Sequence, residues 1–235
     1  MEDKYIQDAP EEIQDKLMLA RKEQLFLIDK LNLNNKINLG NVRLVAGFDT
    51  AFSDEHNLAC SGVVVIDFRT LEVVEEHVEF FTPEIQYIPT FLHLREGKGY
   101  HSVYKKIEEK PDISFFDGNG ILHPYRVGLA TQMGIELSVP TVGIAKKLLF
   151  GKYEPPIKQG GYSEIYYDNE VLGVALQSSK QPAKPIFLSQ GNLIDLSTTI
   201  HVVREIILNQ VYQTKLPLPI FRVDQLVREQ LKEEI

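Results

Sequence analysis

The sequence predicts an α/β protein, a mixed β-sheet with helices on both faces. Three strand-like runs follow one another between residues 44 and 81. A strand–helix–strand pattern over 113–145 then demands a parallel crossover. Helical periodicity flanks both, at 10–31 and beyond 195, and supplies the covering layers.

Residues 10–31 (PEEIQDKLMLARKEQLFLIDKL) repeat apolar side chains at helical spacing behind Pro10, Glu11 and Glu12, which mark an N-terminus. This amphipathic helix is expected to pack on the core. After the polar connection LNLNNKINLGN, strands are predicted at Leu44–Thr50, Gly62–Phe68 and Leu71–Phe81, the last two as a hairpin turning near Arg69 and Thr70. FLHLREGKGYHSVYKKIEEK follows Pro89 as a helix weakened by Gly97 and Gly99 and stopped before Pro111. Then come strand 113–117, helix 125–137 and strand 141–145. Further strands are predicted at 161–167, 171–177 and 185–189, and helices at 195–212 and 223–234 joined by the Pro-rich LPLPIF. No internal repeat or low-complexity linker intervenes, so residues 1–235 are expected to form one domain.

A chain of 235 residues, 43% hydrophobic, can bury one sizeable core. No stretch approaches the roughly 18 apolar residues of a membrane span, and MEDKYIQDAPEE lacks the apolar segment of a secretory signal. The expectation is a soluble cytoplasmic protein without membrane contact. Cys60 is the single cysteine, which excludes an intrachain disulfide and a multi-cysteine zinc cluster. A net charge of −8 argues against coating nucleic acid by bulk electrostatics. Between Gly118 and Gln159, however, Arg126, Lys146, Lys147, Lys152 and Lys158 face only Glu136 and Glu154. A basic middle in an acidic chain suits an enzyme acting on a polyanion.

The chemistry concentrates in FFDGNGILHPYR. Asp117 ends an apolar strand and faces Gly118-Asn119-Gly120, a placement that serves a hard cation and a closely approaching ligand better than it serves packing. A strand-end Asp in a glycine turn also forms without any function. The same loop supplies His123 and Arg126. Asp49 likewise ends the first strand, in LVAGFDTAF, and Glu96 lies on the helix after Pro89. If the first and fourth strands are neighbours, Asp49 and Asp117 meet, and a helix crossing them can turn Glu96 inward. Three carboxylates without a Cys or His cluster suit Mg²⁺, with Mn²⁺ as a substitute. Two such ions roughly 3.5–4 Å apart can activate water and stabilise a phosphodiester's leaving oxygen. The element order also matches the ribonuclease H-like fold, in which acids from separate elements meet at a sheet edge.

FDTAF, QYIPTFLHLRE, FFDGNGILHPYRVGLATQMG, VPTVGIAKKLLFGKY and KPIFLSQG, in this order, resemble the endonuclease V family of inosine-directed repair nucleases. The likeness spans about Val45 to Gln190. It implies a ribonuclease H-like nuclease that hydrolyses the second phosphodiester bond 3′ to deoxyinosine. The products would be 3′-hydroxyl and 5′-phosphate ends, with the base left in place. By motif, Asp49, Glu96 and Asp117 match the metal-binding carboxylates, Lys146 the basic residue beside the scissile phosphate, and His123 a histidine near the site. Tyr87, with Ile88 and Pro89, matches the wedge that replaces the lesion in the stack. Gly118, Asn119 and Gly120 would wall a pocket for extruded hypoxanthine, and Arg126 is a further substrate-binding candidate. Asp224, in PLPIFRVDQ, stands as an additional candidate acid beside the metals.

The chain departs from the family pattern at Gln86, where relatives often have Pro, and at Asn119, where some have His or Gln. Asn192 stands where a His is common. The expected partner is DNA containing deoxyinosine. An inosine-specific ribonuclease with the same site is the alternative, because nothing legible sets the sugar preference. A non-cutting inosine or branched-DNA binding module is the alternative of another class. The three retained acids speak against it, since they repel phosphates unless metal is present.

Overall fold

The computed structural model describes residues 3–180, 183–212 and 214–235. After a short helix α1 (Lys4–Gln7) and the amphipathic α2 (Glu11–Ile28) come β1 (Leu44–Ser53), β2 (Leu58–Asp67), β3 (Val73–Phe81), α3 (Leu92–Lys106), β4 (Ile113–Asp117), α4 (Leu129–Leu137) and β5 (Thr141–Ala145). β6 (Tyr162–Tyr167), β7 (Glu170–Leu176), β8 (Ile186–Asn192), α5 (Leu196–Asn209) and α6 (Leu218–Glu234) complete the chain. The strands form one eight-stranded sheet in the order β3-β2-β1-β4-β5-β8-β7-β6. β1 pairs parallel with β4, and β4 with β5; the other pairings are antiparallel. The predicted mixed sheet is present, and so is the neighbour relation of the first and fourth strands.

The central strands read as apolar runs because both faces are covered. Val45, Phe115, Val142 and Ile144 pack with α5 and α6, whereas Ala46, Phe48 and Phe116 pack with α3 and α4. This alternation fixes the site. Counting by twos from Val45, Ile113 and Val142 puts Asp49, Asp117 and Lys146 on the α6 side of the sheet. α6 reaches them because Gly47 has no side chain: a Cβ there would lie 2.4 Å from the Pro219 carbonyl carbon.

Several boundaries differ from the sequence prediction, each for a local reason. The leading helix stops at Ile28 rather than 31. β1 and β2 continue to Ser53 and from Leu58 around a turn in which Asn57 takes φ 48°. β3 starts at Val73 because Leu71, at φ 60°, belongs to the turn that Asp67 caps through the Arg69 and Thr70 amides. α3 runs unbroken through its glycines. Gly99 lies against β2, where a Cβ would meet Ser61 Oγ at 2.1 Å, so close packing outweighs the weak helix propensity. α4 starts at Leu129 and not at 125, since Arg126 holds a left-handed φ of 59°. α6 starts at Leu218 and absorbs four of the six residues of the supposed Pro-rich connection, with Pro219 tolerated in its first turn. Among the described residues no helix is long and apolar enough to cross a membrane.

Candidate active site

At the carboxyl ends of β1 and β4 a cleft of about 640 Å³ opens toward α3 and α6. The β1–β4 register pairs Phe48 with Phe116, which brings the next residues, Asp49 and Asp117, side by side. Asp224, on α6, completes a group of three carboxylates whose oxygens lie within 4.8 Å of one another. Lys146, just past β5, inserts its ammonium among them. Its Nζ is 2.6 Å from Asp117 Oδ2, 3.1 Å from Asp224 Oδ1 and 3.9 Å from Asp49 Oδ2. Arg228, one turn along α6, binds both oxygens of Asp224 at 2.9 and 3.2 Å.

Glu96 approaches from the opposite face of the sheet, on α3. It lines the cleft but lies outside the closest trio. The Tyr100 hydroxyl donates to Glu96 Oε2 at 2.7 Å. Tyr100 is itself held edge-on to the stacked rings of Phe48 and Phe116. The sequence-predicted set of Asp49, Glu96 and Asp117 is therefore rearranged. Asp224 joins the two strand-end acids directly, and Glu96 stands beside them.

Electrostatically the cluster is strained in the direction of holding positive charge. Burial, then the neighbouring Asp117, push the Asp49 carboxyl well above the usual range. Burial raises Asp117 too, against the pull of Lys146. Burial drives Glu96 up to about 8. Burial opposes the charge on Lys146, but Asp117 and Asp49 outweigh it and raise the ammonium. Burial likewise opposes ionisation of Asp224, yet its bonds from Arg228 and the charge of Lys146 hold it below its ordinary value. The donor set is all oxygen, acidic and crowded, and Lys146 already sits where a cation belongs. These residues fit a hard divalent ion such as Mg²⁺ or Mn²⁺.

Beside the cleft lies a second, smaller recess of about 40 Å³ lined by Tyr87, Thr90, Asn119 and His123, among others. Tyr87 borders both spaces and is half exposed. Ile88 and Pro89 carry the loop onward, the Ile88 carbonyl accepting from Phe91 N–H. Of the three loop residues expected to wall a base pocket, only Asn119 lines the recess. Gly120 instead lies against β8, where a Cβ would be 2.2 Å from the Gln190 carbonyl oxygen, and Gly118 donates its amide to Ile144. These glycines hold the loop to the sheet.

Of the two further loop candidates, His123 lines the recess and Arg126 lines neither space. His123 is not among the carboxylates. It is buried, its Nε2 faces the Thr90 carbonyl at 3.2 Å, and its Nδ1 accepts from Tyr125 N–H at 3.3 Å. Burial and the Arg21 charge lower it to about 3, so the ring is neutral. Arg126 turns away to pair with Glu170 at the start of β7. Asn192 bridges the Asn32 amide and the Gly134 carbonyl, a structural clamp. Sequence reasoning missed Tyr100, Arg228 and Arg95, whose guanidinium stacks on Phe52 inside the cleft. Tyr100 and Arg228 each stand four residues after an acid on one helix, a spacing that could have exposed them.

A model of the endonuclease V family matches residues 26–225. The chain belongs to the endonuclease V family. Endonuclease V of Dictyoglomus thermophilum is 43% identical over 181 residues, which cover 77% of this chain and 76% of the relative. The solved endonuclease V of Bacillus subtilis superposes with a TM-score of 0.84 at 33% identity, covering 97% of this chain and 94% of its own. The catalytic domain of human endonuclease V superposes with a TM-score of 0.85 at 26% identity, covering 96% and 98%. The fold is ribonuclease H-like, as the strand order predicts, and membership of endonuclease V makes the chain a nuclease.

Proposed function

We propose that this endonuclease V homologue is a Mg²⁺-dependent DNA-repair endonuclease that hydrolyses the second phosphodiester bond 3′ to deoxyinosine. It leaves the lesion in nicked DNA with 3′-hydroxyl and 5′-phosphate ends. The observation that carries this reading is the convergence of Asp49, Asp117 and Asp224 within 4.8 Å around the Lys146 ammonium. In support, endonuclease V of Ciona intestinalis, 25% identical, has been solved with DNA containing an inosine.

Asp49, Asp117 and Asp224, with Glu96 beside them, would hold the ion. A divalent ion held by these residues would supply Lewis-acid chemistry, offsetting negative charge on a phosphodiester and acidifying a water. Lys146 then exchanges its carboxylate partners for a nonbridging phosphate oxygen and steadies the charge that grows there in the transition state. Tyr100 fixes the orientation of Glu96. Arg95, which also lines the cleft, spends one arm on Asp54, while its buried Nε has no hydrogen-bond partner. Tyr87 stands at the rim and replaces the extruded base in the stack.

Asn119 lines the recess, and its buried side-chain oxygen has no hydrogen-bond partner. It would accept the N1–H of hypoxanthine, a donor that adenine lacks. At about 40 Å³ the recess holds a few waters rather than a purine, so Tyr87 must swing as the base enters. His123 stays neutral and keeps Thr90 in place rather than moving a proton. An inosine-directed ribonuclease is the second reading, because the Ciona complex contains an inosine followed by a ribo-adenosine.

Nicking assays on matched DNA and RNA, single- and double-stranded, each with one inosine, test both readings. Cleavage of DNA at the second 3′ bond, abolished by chelator and by Asp49→Ala, is expected. Cleavage of RNA alone would replace the proposal by the second reading. Tight binding without cleavage of either would make the protein a binding module.

A further inference from the structure

Outside the cleft, α3 and α4 bring together a second group of metal-ligating side chains. His93 and His101 project from α3, and Glu136 from α4, with one ligand atom of each within 4.8 Å of the others. Both imidazole Nε2 atoms converge on a single oxygen, Glu136 Oε2, at 3.0 and 2.7 Å. The other oxygen of Glu136 accepts from Gln132 Nε2 at 3.0 Å, which fixes the plane of the carboxylate. Gly97 lies between the two histidines on the helix. A Cβ there would be 2.6 Å from His93 Nε2, so the ring can take this position only over a glycine.

We propose that His93, His101 and Glu136 form a separate site for a borderline divalent transition ion, of which Zn²⁺ is the reference, that clamps α3 to α4. The chemistry separates it from the cleft. Two imidazoles and one carboxylate select Zn²⁺, Co²⁺ or Ni²⁺, whereas an all-oxygen set selects Mg²⁺ or Mn²⁺. The geometry needs little change: tetrahedral zinc with bonds of about 2.0–2.1 Å sets ligand atoms about 3.3 Å apart. From 3.0 and 2.7 Å, the Nε2–Oε2 separations need open by roughly 0.3 and 0.6 Å. Gln132 supplies the outer hydrogen bond that orients a ligating carboxylate. Water completes the coordination, since His101 is about a third exposed.

A filled site would tie the helix that carries Glu96 to the helix that follows the Asp117 loop. The same three side chains without metal would make only a proton-dependent ion pair, and metal titration distinguishes the two. The full chain, freed of any histidine tag, is titrated with Zn²⁺ in saturating Mg²⁺ by calorimetry, and with Co²⁺ by its ligand-field absorption. One Zn²⁺ per chain is expected, with a nitrogen-ligated Co²⁺ spectrum. His101→Ala and Glu136→Gln should each weaken it by at least about tenfold. Gly97→Ala should weaken it too by displacing the His93 ring, while Asp49→Ala should leave it intact. Circular dichroism checks that each variant is folded. Absence of Zn²⁺ binding in Mg²⁺, binding untouched by His101→Ala, or binding lost with Asp49→Ala would each overturn the site.

Discussion

Two polar clusters lie on either side of Tyr87, and they are built on opposite principles. In the cleft, the buried Asp49 and Glu96 and the partly buried Asp117 are pushed toward their protonated forms, and Lys146 is shared among three carboxylates. Behind the wedge loop, Arg21 is also buried, yet its bonds are matched. It reaches Asp3 Oδ2 and Thr90 Oγ1, each at 2.7 Å, and hydrogen-bonds Gln24. Its guanidinium is stacked between Phe91 and Tyr125, and Gln24 goes on to the Thr90 and Val127 carbonyls. A cluster that cannot neutralise itself is poised to take a cation and a phosphate. One that can is poised to hold a shape. Strain separates site from scaffold.

The sharpest way to break this contrast is Asp49→Asn. If the cleft is poised for charge from outside, the change removes at least about 10³-fold of cleavage, ~4 kcal/mol of transition-state stabilisation. The metal-free protein should nevertheless keep or raise its melting temperature, because a buried acid crowded by Asp117 and Glu96 is gone. Single-turnover cleavage and thermal unfolding in chelator measure both. Unchanged cleavage would remove Asp49 from the chemistry.

Arg21→Ala should behave in the reverse sense. Arg21 and Asp3 are both nearly buried, at 7% and 11% side-chain exposure, so deleting the cation strands an acid. A loss of about 3 kcal/mol in stability is expected, read by denaturant unfolding. Arg21→Lys should not restore it, because an ammonium cannot stack between two rings while serving Asp3 and Thr90. Cleavage well below the new melting temperature should fall less than for Asp49→Asn.

This difference also marks what the sequence can disclose. Asp49 and Asp117 were legible because each ends an apolar strand, and strand ends are countable. Their meeting followed from strand order alone. Asp224 was legible only as an approximate motif, since its approach depends on α6 starting at Leu218 and crossing β1 at Gly47. The Arg21 network was invisible. In the sequence Arg21 is one more cation on an amphipathic helix, and its partners other than Gln24 lie between 18 and 104 residues away. His123 and Arg126 were placed near the chemistry by proximity in the chain. The left-handed turn at Arg126 keeps its amide on the His123 carbonyl, while the guanidinium pairs with Glu170 and His123 lines the recess, a matter of backbone geometry that no spacing encodes.

His123 gives the comparison a pH signature. Its folded value, lowered to about 3 by burial and by Arg21, lies below the ordinary 6.5 of the unfolded chain. Between these values the unfolded state binds the extra proton, so stability is full above pH 6.5 and declines as pH falls toward 3. The loss should amount to a few kcal/mol at most, and His123→Gln should flatten that part of the stability–pH curve. A curve unchanged by the substitution would mean that the ring is not buried neutral.

The smallest effect belongs to Arg126, and it decides which side of Tyr87 this residue serves. Its ion pair with Glu170 has side-chain exposures of 25% and 57%, so solvent screens most of the attraction. Arg126→Ala should cost under about 1 kcal/mol in stability. If the guanidinium remains on Glu170 when DNA is bound, cleavage should change by no more than about twofold, since a screened surface pair is worth so little. If it swings to a phosphate instead, the variant will weaken DNA binding and lower the salt dependence of affinity by roughly one counterion. Glu170→Ala sharpens the outcome. Releasing the guanidinium should then strengthen DNA binding only if Arg126 can reach the backbone, and leave it unchanged if the residue only ties the loop before α4 to β7.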